Sequence, residues 1–270
     1  MTGSSTAFAL VALLAAACGG GDTKGSGGSS SAAGTSTVSV TSGGTSGPGG
    51  FGGGTTGTGG AVACGPDVQA PIEDNLGTKD PELGKFSLDQ ALAELPNGPG
   101  PLRAIFDTDL GTITCALEAE KAPNAVANFV GLARGRRAWK DPVAKHWVRR
   151  RFYDGLTFHR VPPDFVAQGG DPLGTGFGGP GYKFNDELVG LHHAPGTLAY
   201  ANSGANTNGS QFYITATAQP SLDANFTIFG FCKEVDVVTN ITHVPTTGDP
   251  NYTPLTPLHM KTVTITRCAP

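Results

Sequence analysis

Residues 158–171, FHRVPPDFVAQGGD, constrain the fold of this chain more than any other stretch. Phe158 and Arg160 alternate on one side of the Pro162-Pro163 pair. Phe165 and Ala167 alternate against Val166 and Gln168 on the other, and Gly169-Gly170 ends the run. That pattern fits two short strands joined by a bend. It would bring a cation (Arg160), a carboxamide (Gln168) and an aromatic ring (Phe165) to one open groove. A second stretch, residues 202–214 (NSGANTNGSQFYI), supplies further amides and rings.

The material for a core is unevenly spread. The chain has 270 residues and 41 glycines, many of them in residues 19–63, which are nearly all Gly, Ser and Thr with almost no charge. Such a segment cannot bury enough apolar surface to fold, so it reads as a flexible tether with a reach of roughly 35–40 Å. Ahead of it, Phe8–Cys18 is an apolar run too short to span a bilayer and of the right length for a signal-peptide core. Small residues leading into Cys18 resemble a bacterial lipoprotein signal, with Cys18 lipidated after cleavage; ordinary secretion with cleavage near Ala17 is the alternative. The expected organisation is therefore a leader at 1–18, a tether at 19–63, an N-terminal extension at 64–101 and one folded domain at 102–270. A net charge of −4 gives no global attraction to nucleic acid or an anionic bilayer, so membrane contact is expected through the lipid alone.

Past Cys18, the cysteines are Cys64, Cys115, Cys232 and Cys268. An even number in an exported chain favours two disulfides, for which three connectivities exist. The expectation pairs Cys64 with Cys268, tying the entry segment to the last strand, and Cys115 with Cys232, with the other two connectivities open. No C-x-x-C pair suggests zinc.

In the extension, Ser87 followed by Gln90 reads as a capping box for a helix carrying Leu88, Ala91, Leu92 and Leu95 on one face. Strands are expected at 102–107, 111–117, 157–160, 166–169, 196–200, 211–215, 227–231 and 261–267. A helix opens at Pro123 and closes at Gly135, and a short one lies around 236–241. Eight short strands with two main helices suggest a mainly β fold, a closed eight-stranded antiparallel barrel capped by two α-helices. Residues 134–151 hold eight Lys or Arg against Asp141 alone. They read as a solvated, self-repelling loop, or as a docking patch for an acidic partner in which Trp139 and Trp147 take part.

Several tempting features read as structural. His159 alternates to the strand face opposite Arg160. His192-His193 have no Cys or carboxylate at ligand spacing, so no metal site is expected. Asp186-Glu187 point apart, and Gly174–Gly181 is a turn-filled loop, not a dinucleotide fingerprint.

From Leu102 to Cys268 the chain resembles the cyclophilin family of peptidyl-prolyl cis-trans isomerases. The resemblance rests on Phe129, Tyr153-Asp154-Gly155, Phe158-His159-Arg160, Phe165, Gln168-Gly169-Gly170-Asp171, Gly174-Thr175-Gly176, residues 206–212 (NTNGSQF) and Phe229-Gly230. It implies the family's capped eight-stranded barrel, catalysis without a cofactor, and proline-containing polypeptides as clients. The leader and tether, not the resemblance, give the expected location in the periplasm or cell envelope (soluble secretion being the alternative), with a monomer as the simplest state. Position by position the resemblance implies that Arg160 is the catalytic arginine and that Gln168 steadies it and binds a substrate carbonyl. Phe165, Val166, Tyr213 and Leu222 would line the proline slot, with Phe226 beside it, and Ala201, Asn202 and Gln211 would grip the residues before the proline. Val166, Tyr213 and Phe226 stand where Met, Phe and His are common. Ser221 stands where eukaryotic members carry a cyclosporin-holding Trp, which implies weak cyclosporin binding. A module that binds proline segments or scaffolds a complex with little turnover is the other functional reading.

Overall fold

Alternating burial builds the main sheet strand by strand. In the computed structural model, which describes residues 67–96, 98 and 100–268, β1 (Arg103–Thr108) buries Ala104, Phe106 and Thr108. After a tight turn at Asp109-Leu110, β2 (Gly111–Leu117) buries Ile113, Cys115 and Leu117. The other strands are β3 (Trp139–Lys140), β4 (Trp147–Val148), β5 (Val166–Gly169), β6 (Thr197–Tyr200), β7 (Phe212–Thr215), β8 (Ile228–Cys232) and β9 (Met260–Thr266). Seven of them form one antiparallel sheet in the order β5-β7-β6-β8-β2-β1-β9, and β3 and β4 make a separate ribbon. The expected leader with Cys18, the tether and Cys64 lie outside the described residues, so the Cys64–Cys268 bond remains an expectation. Cys115 and Cys232 are disulfide-bonded as register partners of β2 and β8.

The closed eight-stranded barrel is not what forms. The eighth expected strand, 157–160, lies between the two sheet edges but makes only isolated bridges, Thr157 with His259 and Arg160 with Gln168. Its amides alternate between neighbours: Phe158 N–H donates to Leu258 O (2.9 Å), and His159 N–H to Gln168 O (3.0 Å). The segment is cut short on both sides. A turn at Tyr153–Leu156 precedes it, and Pro162-Pro163 after it has no N–H to donate. The result is a curled seven-stranded half-barrel.

Inside the curl, α2 (Pro123–Ala133) contributes Phe129, whose ring touches those of Phe106, Tyr153, Phe212 and Phe229 at centroid distances of 4.9–5.9 Å. The helix starts with a proline, where a missing N–H costs nothing, and its N-cap residue, Ala122, offers no side-chain acceptor. The Glu187 carboxylate takes that role instead, accepting from Asn124 N–H (3.1 Å) and Ala125 N–H (2.8 Å) at the positive end of the helix dipole. A third helix, α3 (Val235–Thr242), buries Val238 and Ile241.

The extension is part of this body. Its helix α1 (Leu88–Leu92) has the expected Ser87/Gln90 capping box and packs against α2. Gly131 permits the close approach: a Cβ there would stand 2.4 Å from the Phe86 ring. Residues 134–151 are accordingly not a solvated loop. Arg134 is fully buried, its Nε 2.8 Å from Asp67, and it donates to Ala93 O at 3.0 Å. Arg149 pairs with Glu73 and Glu82, Arg150 with Asp74 and Asp141, and Arg136 with Glu94. Arg137 lies 3.9 Å above the Tyr182 ring and 5.1 Å from that of Phe86. Five of the carboxylates in these pairs, Asp67, Glu73, Asp74, Glu82 and Glu94, come from the extension, 40 to 80 residues earlier in the chain, where no local reading of charge finds them.

Candidate functional site

The groove residues are carried by the β5 edge and its neighbours. Backbone pairing sets Arg160 against Gln168: Gln168 N–H donates to Arg160 O at 2.9 Å, and Gln168 lies opposite Tyr213 in the β5–β7 register. The Arg160 guanidinium lies 6.0 Å from the centre of the Phe165 ring, at the outer limit of a cation–π contact. Among the described residues no hydrogen bond or ion pair engages that side chain. Burial lowers its pKa, the charges of Tyr252 and Asp249 oppose the shift, and the group stays a cation. A half-buried, charged donor without a dedicated acceptor is available to a ligand.

Gln211 organises the amides around it. Its Nε2 donates to Gly176 O and Gly178 O, both at 2.9 Å, and its Oε1 accepts from Gln168 Nε2 at 3.1 Å. The glycine loop is thus tied to the groove, and the Gln168 side chain bonds to Gln211. Its link to Arg160 runs through the backbone. Ala201 N–H donates to Gln211 O at 3.0 Å, and Asn202 reaches Asn225 O at 3.4 Å. Beyond β7, Leu222 is buried in the 3-10 turn Pro220–Leu222, and Phe226 meets Tyr213 edge-on at 5.8 Å. Val166 is buried, whereas Phe165 and Phe226 are half-buried at the surface. Of the ten expected groove residues, Val166 and Gln168 lie on β5 and Tyr213 on β7, Ala201, Asn202 and Gln211 adjoin the ends of β6 and β7, and Arg160, Phe165, Leu222 and Phe226 come from neighbouring segments. A cavity of about 780 Å³, lined by Ala70, Pro71, Phe86, Arg136 and Arg149 among others, shares no residue with the groove.

Sequence reading missed two residues behind Tyr213. The Tyr213 hydroxyl is 2.8 Å from His193 Nε2, and His193 Nδ1 is 2.8 Å from Asp223 Oδ1. The other carboxylate oxygen of Asp223 meets His192 Nδ1 at 2.8 Å, and His193 N–H also donates to Asp223. Hydrogen bonds from His192 and His193 pull the Asp223 carboxyl down to about 2. Burial lowers His193 against the pull of Asp223 and raises Tyr213. Nothing local announces this chain, since its bonded members stand 20 and 30 residues apart. His159, adjacent to Arg160, is buried, and neither ring nitrogen has a hydrogen-bond partner among the described residues. Asp186 is occupied by Asn206 and Asn208.

Residues 103–269 match the model of the family described as cyclophilin type peptidyl-prolyl cis-trans isomerase/CLD. A probable peptidyl-prolyl cis-trans isomerase A of Mycobacterium leprae is 44% identical over 165 residues, covering 60% of this chain and 91% of that protein. Peptidyl-prolyl cis-trans isomerase B of Streptomyces anulatus is 48% identical over 132 residues, covering 48% of this chain and 75% of its own length. Among solved structures, a cyclophilin type peptidyl-prolyl cis-trans isomerase of Cryptosporidium parvum superposes with a TM-score of 0.51 at 29% identity, over 60% of this chain and 96% of that one. A second structure of it, determined in the presence of the dipeptide Ala-Pro, superposes equally well.

Proposed function

The chain belongs to the cyclophilin-type peptidyl-prolyl cis-trans isomerases, and from that premise we propose that Arg160 drives rotation of X–Pro bonds held in the groove around β5 and β7. Rotation breaks amide resonance against a barrier of about 18–20 kcal/mol, with no covalent bond made or cut. At the twisted transition state the prolyl nitrogen regains a lone pair. A fixed guanidinium N–H directed at it binds more strongly there than in the planar ground state, which is the requirement for catalysis. The unpaired Arg160 cation beside Phe165 is the observation that carries this reading.

The ring of the proline would enter the slot between Phe165, Val166, Tyr213 and Leu222, with Phe226 at its rim. Gln168, held by Gln211, would hydrogen-bond the substrate carbonyl, and Ala201, Asn202 and Gln211 would hold the preceding residues. The relative determined in the presence of Ala-Pro supports a dipeptide of that kind as the minimal ligand. The clients we assign are exported polypeptides, a reading supported by the Cys115–Cys232 disulfide. An acidic partner at residues 134–151 would compete with the carboxylates of the extension itself.

The test is cis-to-trans relaxation of an Ala-Pro peptide, which takes tens to hundreds of seconds uncatalysed. Residues 64–270 should accelerate it strongly, and Arg160→Ala should lower kcat/KM by about 100-fold or more. Equal activity in both proteins would discard the role of Arg160. Peptide binding without acceleration would move the assignment to a proline-segment binding module.

A further inference from the structure

The Asp223–His193–Tyr213 chain ends on a residue that the proposed function places in the proline slot, and the inference rests on that placement. Hydrogen-bond logic fixes its protons. The ionised Asp223 carboxylate only accepts, so His193 Nδ1 carries the hydrogen. Nε2 of the neutral ring then only accepts, and the Tyr213 hydroxyl donates to it. Every bond in the series is made, and none needs water. The ring of Tyr213 is thereby held at its far end by this bond and at its flank by Phe226.

We propose that Asp223 and His193 are positioning residues for the proline slot, and that a proton on His193 reverses the bond to Tyr213 and weakens substrate binding. With a proton on Nε2, imidazolium becomes the donor. The Tyr213 hydroxyl, buried and with His193 as its hydrogen-bond partner among the described residues, must then accept, and its own hydrogen is left without an acceptor, which is costly. The titratable groups facing His193 are Asp223 beyond the 3-10 turn, His192 on its own loop and Tyr213 on β7. Asp223 favours the imidazolium while burial and His192 oppose it, which leaves the ring neutral near pH 7 and sends its titration to acid.

The test follows exchange and binding of an Ala-Pro peptide by NMR from pH 4.5 to 8, together with the imidazole shifts of His193. KM and the peptide Kd should both weaken about three- to tenfold toward acid, the value of one hydrogen bond, with a midpoint equal to that of His193. Tyr213→Phe should shift the His193 midpoint and remove the pH dependence from KM and Kd. Thermal unfolding of the variant checks that it is folded. A His193 that stays neutral throughout overturns the proposal. So does a Kd that ignores its titration, or a Tyr213→Phe protein that keeps the acid limb. Because Kd is read separately, a protein that binds the peptide without turning it over would fail the isomerase assignment while still deciding this one.

Discussion

His159 and His193 are both buried imidazoles whose pKa burial lowers, and this sets how the fold responds to acid. Between the lowered folded values and the ordinary value of about 6.5, the unfolded chain binds protons that the folded one does not. Stability therefore rises with pH in that window and is lost as pH falls below about 6.5. Asp223 acts in the same direction in a more acid window. Its folded value of about 2, against 3.8, gives stability that is present above 3.8 and lost as pH falls toward 2. Urea midpoints at pH 7.5, 5.5 and 3 should thus fall in two stages, and a midpoint level between 7.5 and 5.5 would contradict the first. At this scale the sequence was readable wherever partners were close or a motif carried them. Ser87 and Gln90, three apart, could be matched by eye, as could Arg160, Phe165 and Gln168 within nine positions. Tyr213, His193 and Asp223 could not, because each is an ordinary residue until a β7 strand and a 3-10 turn place them within hydrogen-bonding reach.

Among elements, the extension carries an unexpected share of the structure. Arg134 lies at the C-terminal end of α2 with no exposure, and Asp67 is its ionic partner. Asp67 also faces Arg151 at 3.3 Å. Removing one member of a buried pair strands the other, at a cost of about 3–5 kcal/mol. Asp67→Ala should lower the urea-derived stability by that amount, whereas Lys121→Ala, which breaks an exposed pair with Glu118, should change it by about 1 kcal/mol or less. Equal effects would mean that Arg134 is satisfied by its carbonyl contacts alone. The helix α1 was legible from its apolar spacing and cap. What it covers was not, because the clue is a missing side chain: Gly131 in mid-helix costs helix stability and is explained only by the Phe86 ring lying against it.

For the whole molecule, seven of the eight expected strands form with their boundaries within a residue, whereas the short ribbon of β3 and β4 lies in the basic stretch that was read as a loop. Closure did not follow, because it depends on how many consecutive bridges residues 157–160 complete between two distant edges. Export and anchoring belong to this scale too. If the leader is processed at Cys18, the full chain should sediment with membranes after lysis and Cys18→Ser should release it to the soluble fraction; a wild-type protein found wholly soluble would favour plain secretion. The order of the sheet has one further consequence. The first strand, β1, lies between β2 and β9, the second and the last. A polypeptide emerging N-terminus first can make the β1–β2 hairpin at once, but β1 keeps an open edge until residues 260–266 arrive some 150 positions later. The apolar faces of α2 and the early strands must stay sheltered, and free of wrong partners, for nearly the whole time of synthesis or translocation. A protein assigned to help other chains through slow folding is thus itself one whose fold can be finished only at the end.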